Sequence, residues 1–253
     1  MPRPRTTAPM TTKKPPHPFP RGTETPRLLI TAGPTHEPID AVRYLGNRSS
    51  GRLGIELADH AAKLGWPAHL LLGPTYLLLP QNDQTQLTRF GSTANLASAL
   101  NSTLPECDIL IMAAAVADYT PAHPELETKI RRSENTPLTI ELTPTPDLLA
   151  ACSKAARPDQ LLVGFALEPA EGLREAAASK LRRKGVDLIV ANPLETMEAS
   201  EIEASLIASE PLHQFEQQSG RLSKAEFAAW LLPILHDAWR AKCARTPSTS
   251  TDA

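Results

Sequence analysis

A chain of 253 residues suits one large α/β unit better than two domains, and a hydrophobic content of 41% with 4% aromatics requires a core of Leu, Ile, Val and Ala. A net charge of -2 excludes the overall basic balance of a nucleic-acid-binding chain, and no run approaches the ~18 apolar residues of a membrane helix. Cys107, Cys152 and Cys243 form no CxxC pair and have no His at ligand spacing, which argues against a disulfide framework or zinc site and for a reducing, cytoplasmic setting.

Residues 1–24 carry Arg3, Arg5, Lys13, Lys14 and Arg21 against Glu24 alone, a net of +4, together with seven prolines. So few apolar residues cannot offset the entropy of ordering, and there is no secretory h-region, so a solvated leader is expected. A targeting or nucleic-acid role for the leader stays open. From Pro26 onward, strand-like and helix-like segments alternate. Arg27–Thr31 reads as a strand ending at Ala32-Gly33-Pro34. From Gly51 the period becomes helical, with Leu53, Leu57, Ala61 and Leu64 on one face and Gly65 at the C-cap position. Ala68–Leu72 and Gln86–Phe90 read as strands, Asn95–Leu104 as a helix and Asp108–Ala115 as a buried strand. Leu138–Leu142 alternates like a peripheral strand; Asp147–Ala156 is helical, Leu161–Ala166 a buried strand, Glu171–Lys184 a helix and Asp187–Ala191 a strand.

Two weaker strands are expected at Ala204–Ala208 and His213–Gln217. A final helix, Ser223–Ala241, opens with the capping-box spacing of Ser223 and Glu226; Pro233 should kink it or delay its start. Residues 244–253 read as a disordered tail. Helices between short apolar strands require crossovers, so the expected fold is a Rossmann-like α/β domain over residues 25–243, a mainly parallel sheet with helices on both faces.

In such a sheet ligands bind beyond the carboxyl ends of the strands, here the loops after residues 31, 72, 115, 166 and 191. The first of these, running from Gly33 to Gly54, is too long for a simple turn and ends in Gly46-Asn-Arg-Ser-Ser-Gly51 at the helix start. Small residues there let backbone N–H groups approach an anion, so Gly33, Ser49, Ser50 and Gly51 are candidate phosphate contacts; plain helix capping by Ser50 is the alternative. Neither GxGxxG nor GxxxxGK[ST] occurs, which removes the usual support for NAD binding. Ala113–Tyr119 offers small residues against which a flat ligand can lie, with Asp118 as an acceptor or merely a turn cap. Lys129-Ile-Arg-Arg132 is either a polyphosphate clamp or a solvated basic loop. Lys180 and Lys184, four apart on a helix, suit phosphate binding or snorkel from the edge of its stripe.

These motifs together resemble the phosphopantothenate–cysteine ligases (phosphopantothenoylcysteine synthetases) of coenzyme A biosynthesis. The resemblance rests on ITAGPTHEPIDAVRYLGNRSSGRLG, AAAVADY, KIRR, TPDLL, VGFALE and KLRRKGVDLIVAN, in the family order over about residues 27–192. It implies a homodimer, CTP as co-substrate with Mg2+, and the substrates 4'-phosphopantothenate and L-cysteine. It implies nucleotide contacts from Met112, Ala113, Ala114, Asp118, Lys129, Pro146, Asp147, Leu148, Leu149, Phe165, Lys180 and Lys184. Lys129 resembles the lysine that stabilises charge during nucleotidyl transfer, and Asn47 the residue that serves the acyl intermediate and the cysteine step. Arg131 and Arg132 follow Lys129 where the family is lysine-rich, and the loop after Asn192 lacks the family's Gly-Phe. Decarboxylation of the product is expected from a separate flavin-dependent protein. A catalytically inactive nucleotide-binding regulator and an NAD(P)-dependent reductase of similar fold are the alternative readings.

Overall fold

The computed structural model describes residues 24–80, 82–133, 136–197 and 199–246. Residues 1–23 and 247–253, nearly all of the expected leader and tail, lie outside the described residues.

The apolar run after Arg27 forms β1 (Leu28–Ala32), buried along its whole length. The chain then turns into a small antiparallel hairpin, β2 (His36–Pro38) and β3 (Tyr44–Gly46), before entering α1 (Arg52–Lys63). In α1, Leu57, Ala58 and Ala61 are fully buried, as the periodicity requires, but Leu64 is 41% exposed because the helix has already ended at Lys63. There follow β4 (Ala68–Leu72), β5 (Thr85–Arg89), α2 (Thr93–Thr103), β6 (Ile109–Met112), β7 (Tyr119–Pro121), β8 (Leu142–Pro144), α3 (Leu148–Ala155) and β9 (Leu161–Glu168). The chain closes with α4 (Leu173–Lys184), β10 (Leu188–Pro193), β11 (Glu201–Ala208), β12 (Gln217–Ser223) and α5 (Lys224–Arg245).

Eight strands form the main sheet in the order β12-β11-β10-β9-β6-β1-β4-β5. The six from β5 to β10 are parallel, and β11 and β12 add an antiparallel edge. Alternate strand residues face two separate cores. Ile30, Ile111, Val163 and Val190 pack with α1 and α5, while Leu29, Leu110, Leu162 and Ile189 pack with α2, α3 and α4. This is the expected Rossmann-like architecture with helices on both faces. No helix among the described residues is long and apolar enough to cross a membrane.

Four expectations need correction. The segment 138–142 is not a strand; only Leu142–Pro144 pairs, with Tyr119–Pro121, and Leu138 and Ile140 are exposed because no layer covers their alternating face. His213–Gln217 is not a strand either. Glu210–Phe215 winds into a 3-10 helix that starts with Pro211 in its first turn and buries Leu212, and the edge strand comes later, at Gln217–Ser223. Its polar QQSGRLS pattern hides it, since an edge strand pairs on one side and stays largely exposed. The strand expected over Asp108–Ala115 ends at Met112, beyond which the pairing continues as an isolated parallel bridge between Ala115 and Pro34. Pro233 does not delay α5, which begins at Lys224 under a reciprocal Ser223–Glu226 capping box.

Candidate active site

The chain builds the sheet outward from β1 through β4 to β5, then returns to add β6, β9 and β10 on the other side. Loops leaving β1 and β6 therefore diverge, and a crevice opens beyond their carboxyl ends. A cavity of about 990 Å³ occupies this place.

Residues 46–54 make one wall. Gly51 is the N-cap of α1 with φ 75°, a left-handed conformation that a side chain would strain. Close packing continues at Gly54, where an added Cβ would stand 2.2 Å from the Ala32 side chain. Capping by Ser50 is not what ends the loop. Ser49 and Ser50 accept only long bonds, 3.4 Å from the Gly51 N–H and 3.3 Å from the Arg52 N–H, and the helix has no side-chain N-cap. The first-turn residues of α1, whose N–H groups lack intrahelical acceptors by helix geometry, belong to this wall. Asn47 sits at the rim, its Nδ2 donating to the Val116 carbonyl at 2.9 Å.

Met112–Asp118 makes the facing wall, and hydrogen bonds leave it little freedom. Ala113 and Ala114 donate to the Thr31 carbonyl and hydroxyl at 3.1 Å, and Ala115 donates to the Gly33 carbonyl at 2.9 Å. Ala117 donates to the Thr35 hydroxyl at 3.0 Å, and its carbonyl accepts from the Thr145 hydroxyl at 2.6 Å. Small side chains here leave a flat surface of backbone, edged by the exposed carboxylate of Asp118.

Beyond it, Asp147 caps α3 by accepting from the Ala150 N–H, and Lys184 pairs with its other oxygen. Burial alone would raise the Asp147 carboxyl, but Lys184 and the Ala150 N–H outweigh it and hold it below its ordinary value. Lys180 donates to the Phe165 carbonyl at 2.6 Å, and burial, followed by Lys184 and Arg183, lowers its ammonium pKa. Both lysines face the cavity rather than snorkelling away from it.

Of the residues singled out in the sequence, Asn47, Ser49, Ser50, Gly51, Met112, Ala113, Ala114, Asp118, Pro146, Asp147, Leu148, Leu149, Phe165, Lys180 and Lys184 all line this one cavity. Gly33 does not; it lies behind the wall, its backbone 3.3 Å from where a Gly51 Cβ would stand. Lys129 does not either. It is exposed on an arm held away from the cavity: Glu125 N–H donates to the Ile39 carbonyl, Ala41 N–H to the Thr128 carbonyl, and Ile130 N–H to Asp40. Arg43 bridges Asp40 to the Ile130 carbonyl, and its guanidinium is the main reason the Asp40 carboxyl titrates well below the usual range.

Sequence reasoning missed Arg48, Arg52, Arg183, Lys224, Asn192 and Thr196, which also line the cavity. Arg183 lies within the KLRRK run and Asn192 at the end of a parallel strand, so both had a signal; Lys224, at a distant strand–helix junction, had none. Asn192 donates to the Thr196 hydroxyl at 2.7 Å, which fixes the turn after β10. Six cations, Arg48, Arg52, Lys180, Arg183, Lys184 and Lys224, surround the cavity against the three carboxylates Asp118, Asp147 and Glu168. Such an excess suits a polyanion. No cluster of three or more His, Cys, Asp or Glu fit to hold a metal ion occurs among the described residues.

The chain matches the family described as DNA/pantothenate metabolism flavoprotein C-terminal domain over residues 23–237. It is 46% identical over 169 residues to a protein named cysteine/cysteine sulfinic acid decarboxylase from an unknown prokaryotic organism, covering 67% of this chain and 46% of that one. It is 40% identical over 195 residues to the coenzyme A biosynthesis bifunctional protein CoaBC of Mycobacterium bovis, covering 73% of this chain and 46% of that one. The chain thus spans about half the length of the curated relatives it matches. Among solved structures, the C-terminal domain of a CoaBC protein superposes with a TM-score of 0.69 at 31% identity, over 85% of this chain and 96% of that domain.

Proposed function

The chain belongs to the DNA/pantothenate metabolism flavoprotein C-terminal domain family, and on that premise we propose that it is a ligase of coenzyme A biosynthesis joining 4'-phosphopantothenate to L-cysteine at the expense of CTP. The observation that carries this reading is the cation-rich cavity at the sheet's switch point, with Asn47 held at its rim. The substrate carboxylate attacks the α-phosphate of CTP, forming an acyl-cytidylate and releasing pyrophosphate. The amine of cysteine then attacks the acyl carbon, the amide forms, and CMP leaves.

Each group has a part that its position suits. The Met112–Asp118 wall and Pro146–Leu149 hold base and ribose, and Lys180 and Lys184 neutralise phosphate oxygens whose charge shifts during transfer. The α1 N-terminus with Ser49, Ser50 and Gly51 receives a phosphate, and Asn47 orients the acyl group for the amine. With Asp147 paired to Lys184, the lining carboxylates Asp118 and Glu168 would be the ones to help hold a Mg2+ bound to the triphosphate, an ion that keeps most of its ligands from phosphate and water. Lys129 enters this reading through a homodimer. Val42, Tyr44, Leu126, Leu138 and Ile140 are exposed around its arm, and a second copy covering that face brings the arm to a cavity. Three free cysteines suit work in the cytoplasm.

An NAD(P) reductase is disfavoured by residues 33–51, which pass through a hairpin where a dinucleotide fold turns directly into its helix. The test is pyrophosphate release with CTP, ATP, GTP or UTP, with and without 4'-phosphopantothenate. Release is expected with CTP and only when 4'-phosphopantothenate is present. Nucleotide binding without any release would instead mark an inactive regulator. Asn47→Ala is expected to keep pyrophosphate release while amide formation stalls, and unchanged turnover would refute its role.

A further inference from the structure

Behind the Met112–Asp118 wall lies a row of buried polar groups that line no part of the cavity: Thr35, Glu37 and Thr93, at 0%, 4% and 2% exposure. Glu37, on β2, accepts from the Thr93 N–H at 2.8 Å and from the Thr93 hydroxyl at 2.7 Å. The hydroxyls of Thr93 and Thr35 stand 3.3 Å apart, and the Ala117 N–H reaches Thr35 Oγ1 at 3.0 Å. A hydroxyl has one hydrogen to give. That of Thr93 goes to the nearer carboxylate, so Thr35 is the donor to Thr93 and is left facing Ala117 as an acceptor. The bonds therefore run in one direction, from the Ala117 N–H through Thr35 and Thr93 to the carboxylate of Glu37, each polarising the next in buried surroundings.

We propose that Thr93 is a positioning residue for nucleotide binding: from the start of α2, outside the cavity, it orients the Thr35 hydroxyl and thereby fixes the backbone at Ala117. This rests on the nucleotide reading above. Ala117 is the point to hold, because its two neighbours carry site groups, Val116 the carbonyl that anchors Asn47 and Asp118 the carboxylate at the edge of the wall. Helix capping alone does not require the arrangement, since Ser92 already caps α2 through a reciprocal box with Asn95. A capping role for Glu37 would need only the Thr93 N–H.

The experiment measures CTP affinity, the KM of each substrate and the melting temperature for wild type, Thr93→Val, Thr93→Ser and Ser92→Ala. Thr93→Val is expected to weaken CTP binding by about 3- to 10-fold, the range of one lost hydrogen bond, while the KM for cysteine stays within about 2-fold. Thr93→Ser should restore CTP affinity, and Ser92→Ala should lower the melting temperature while leaving CTP affinity unchanged. If Thr93→Val does not fold, Thr93→Ala removes the same hydroxyl and carries the same expectation. Unchanged CTP affinity in the variant lacking the hydroxyl overturns the proposal, as does a Ser92→Ala variant equally weakened. Failure of the wild-type chain to bind CTP, ATP, GTP or UTP overturns the nucleotide reading itself, and this proposal with it.

Discussion

At the N-terminal ends of the parallel strands, Arg27 clasps Asp108 through Nε at 2.8 Å and Nη2 at 2.6 Å, and Arg157 approaches the same carboxylate at 3.5 Å. Lys242 grips both oxygens of Asp187 at 2.7 Å, and Gln160 donates to the Leu104 and Cys107 carbonyls. At the C-terminal ends of the same strands six lining cations stand against three lining carboxylates, and Lys184 is paired with Asp147. The two ends use the same residue types for opposite purposes. Below, ions satisfy one another so that four strand starts and a helix end are stapled together. Above, the cations lining the cavity outnumber its lining carboxylates, an excess that a ligand bringing negative charge would balance. A charged residue in this chain is therefore informative by its partner rather than by its type.

The contrast can be broken or sharpened by experiment. Lys129→Ala should depress pyrophosphate release by about 10³-fold, the scale of losing a preorganised charge in a transition state. Its melting temperature should not move, because the side chain is exposed. Unaltered release would mean that the cavity needs no group from the arm. Asp108→Ala should instead cost about 3–5 kcal/mol in denaturant unfolding, since it strands a buried guanidinium. The folded fraction should keep the wild-type KM for CTP; a raised KM would show that the two ends are coupled through the sheet.

Lys184→Met is expected to weaken CTP binding by about 10-fold with a small change in stability. It should also return the Asp147 carboxyl upward toward its ordinary value, detectable by NMR titration. In the wild type that carboxyl is held low, so its contribution is present above the unfolded-state value of 3.8 and is lost as pH falls. The smallest effect concerns Cys107, whose thiol burial pushes up to about 12 from an ordinary 9.0. The unfolded thiol ionises first, so stability is full below pH 9.0 and declines as pH rises toward 12. Denaturation at pH 8 and pH 10, as values chosen roughly one unit either side of that ordinary value, should show a smaller decline in Cys107→Ala. A thiol reagent at the lower pH should modify Cys107 only as fast as the chain opens.

The sequence by itself determined the layers and the location of the site. Short apolar runs and helical stripes report which side of each segment is buried, and this local periodicity was enough to identify the six strands that pair in parallel and to direct the search to the loops at their carboxyl ends. The loop from Gly33 to Gly54 and the run Met112–Tyr119 stood out because small residues there serve no core. Tertiary structure alone decided how far Lys129 stands from the cavity and that Lys224 lines it. It also set the pairing of Arg27 with Asp108 and of Ala117 with Thr35. Such contacts join residues 81 and 82 positions apart. Nothing in the spacing of neighbours encodes them, because they arise only when the crossovers bring separate strand ends to one edge. The polar edge strand Gln217–Ser223 escaped for the related reason that it buries too little to leave a pattern.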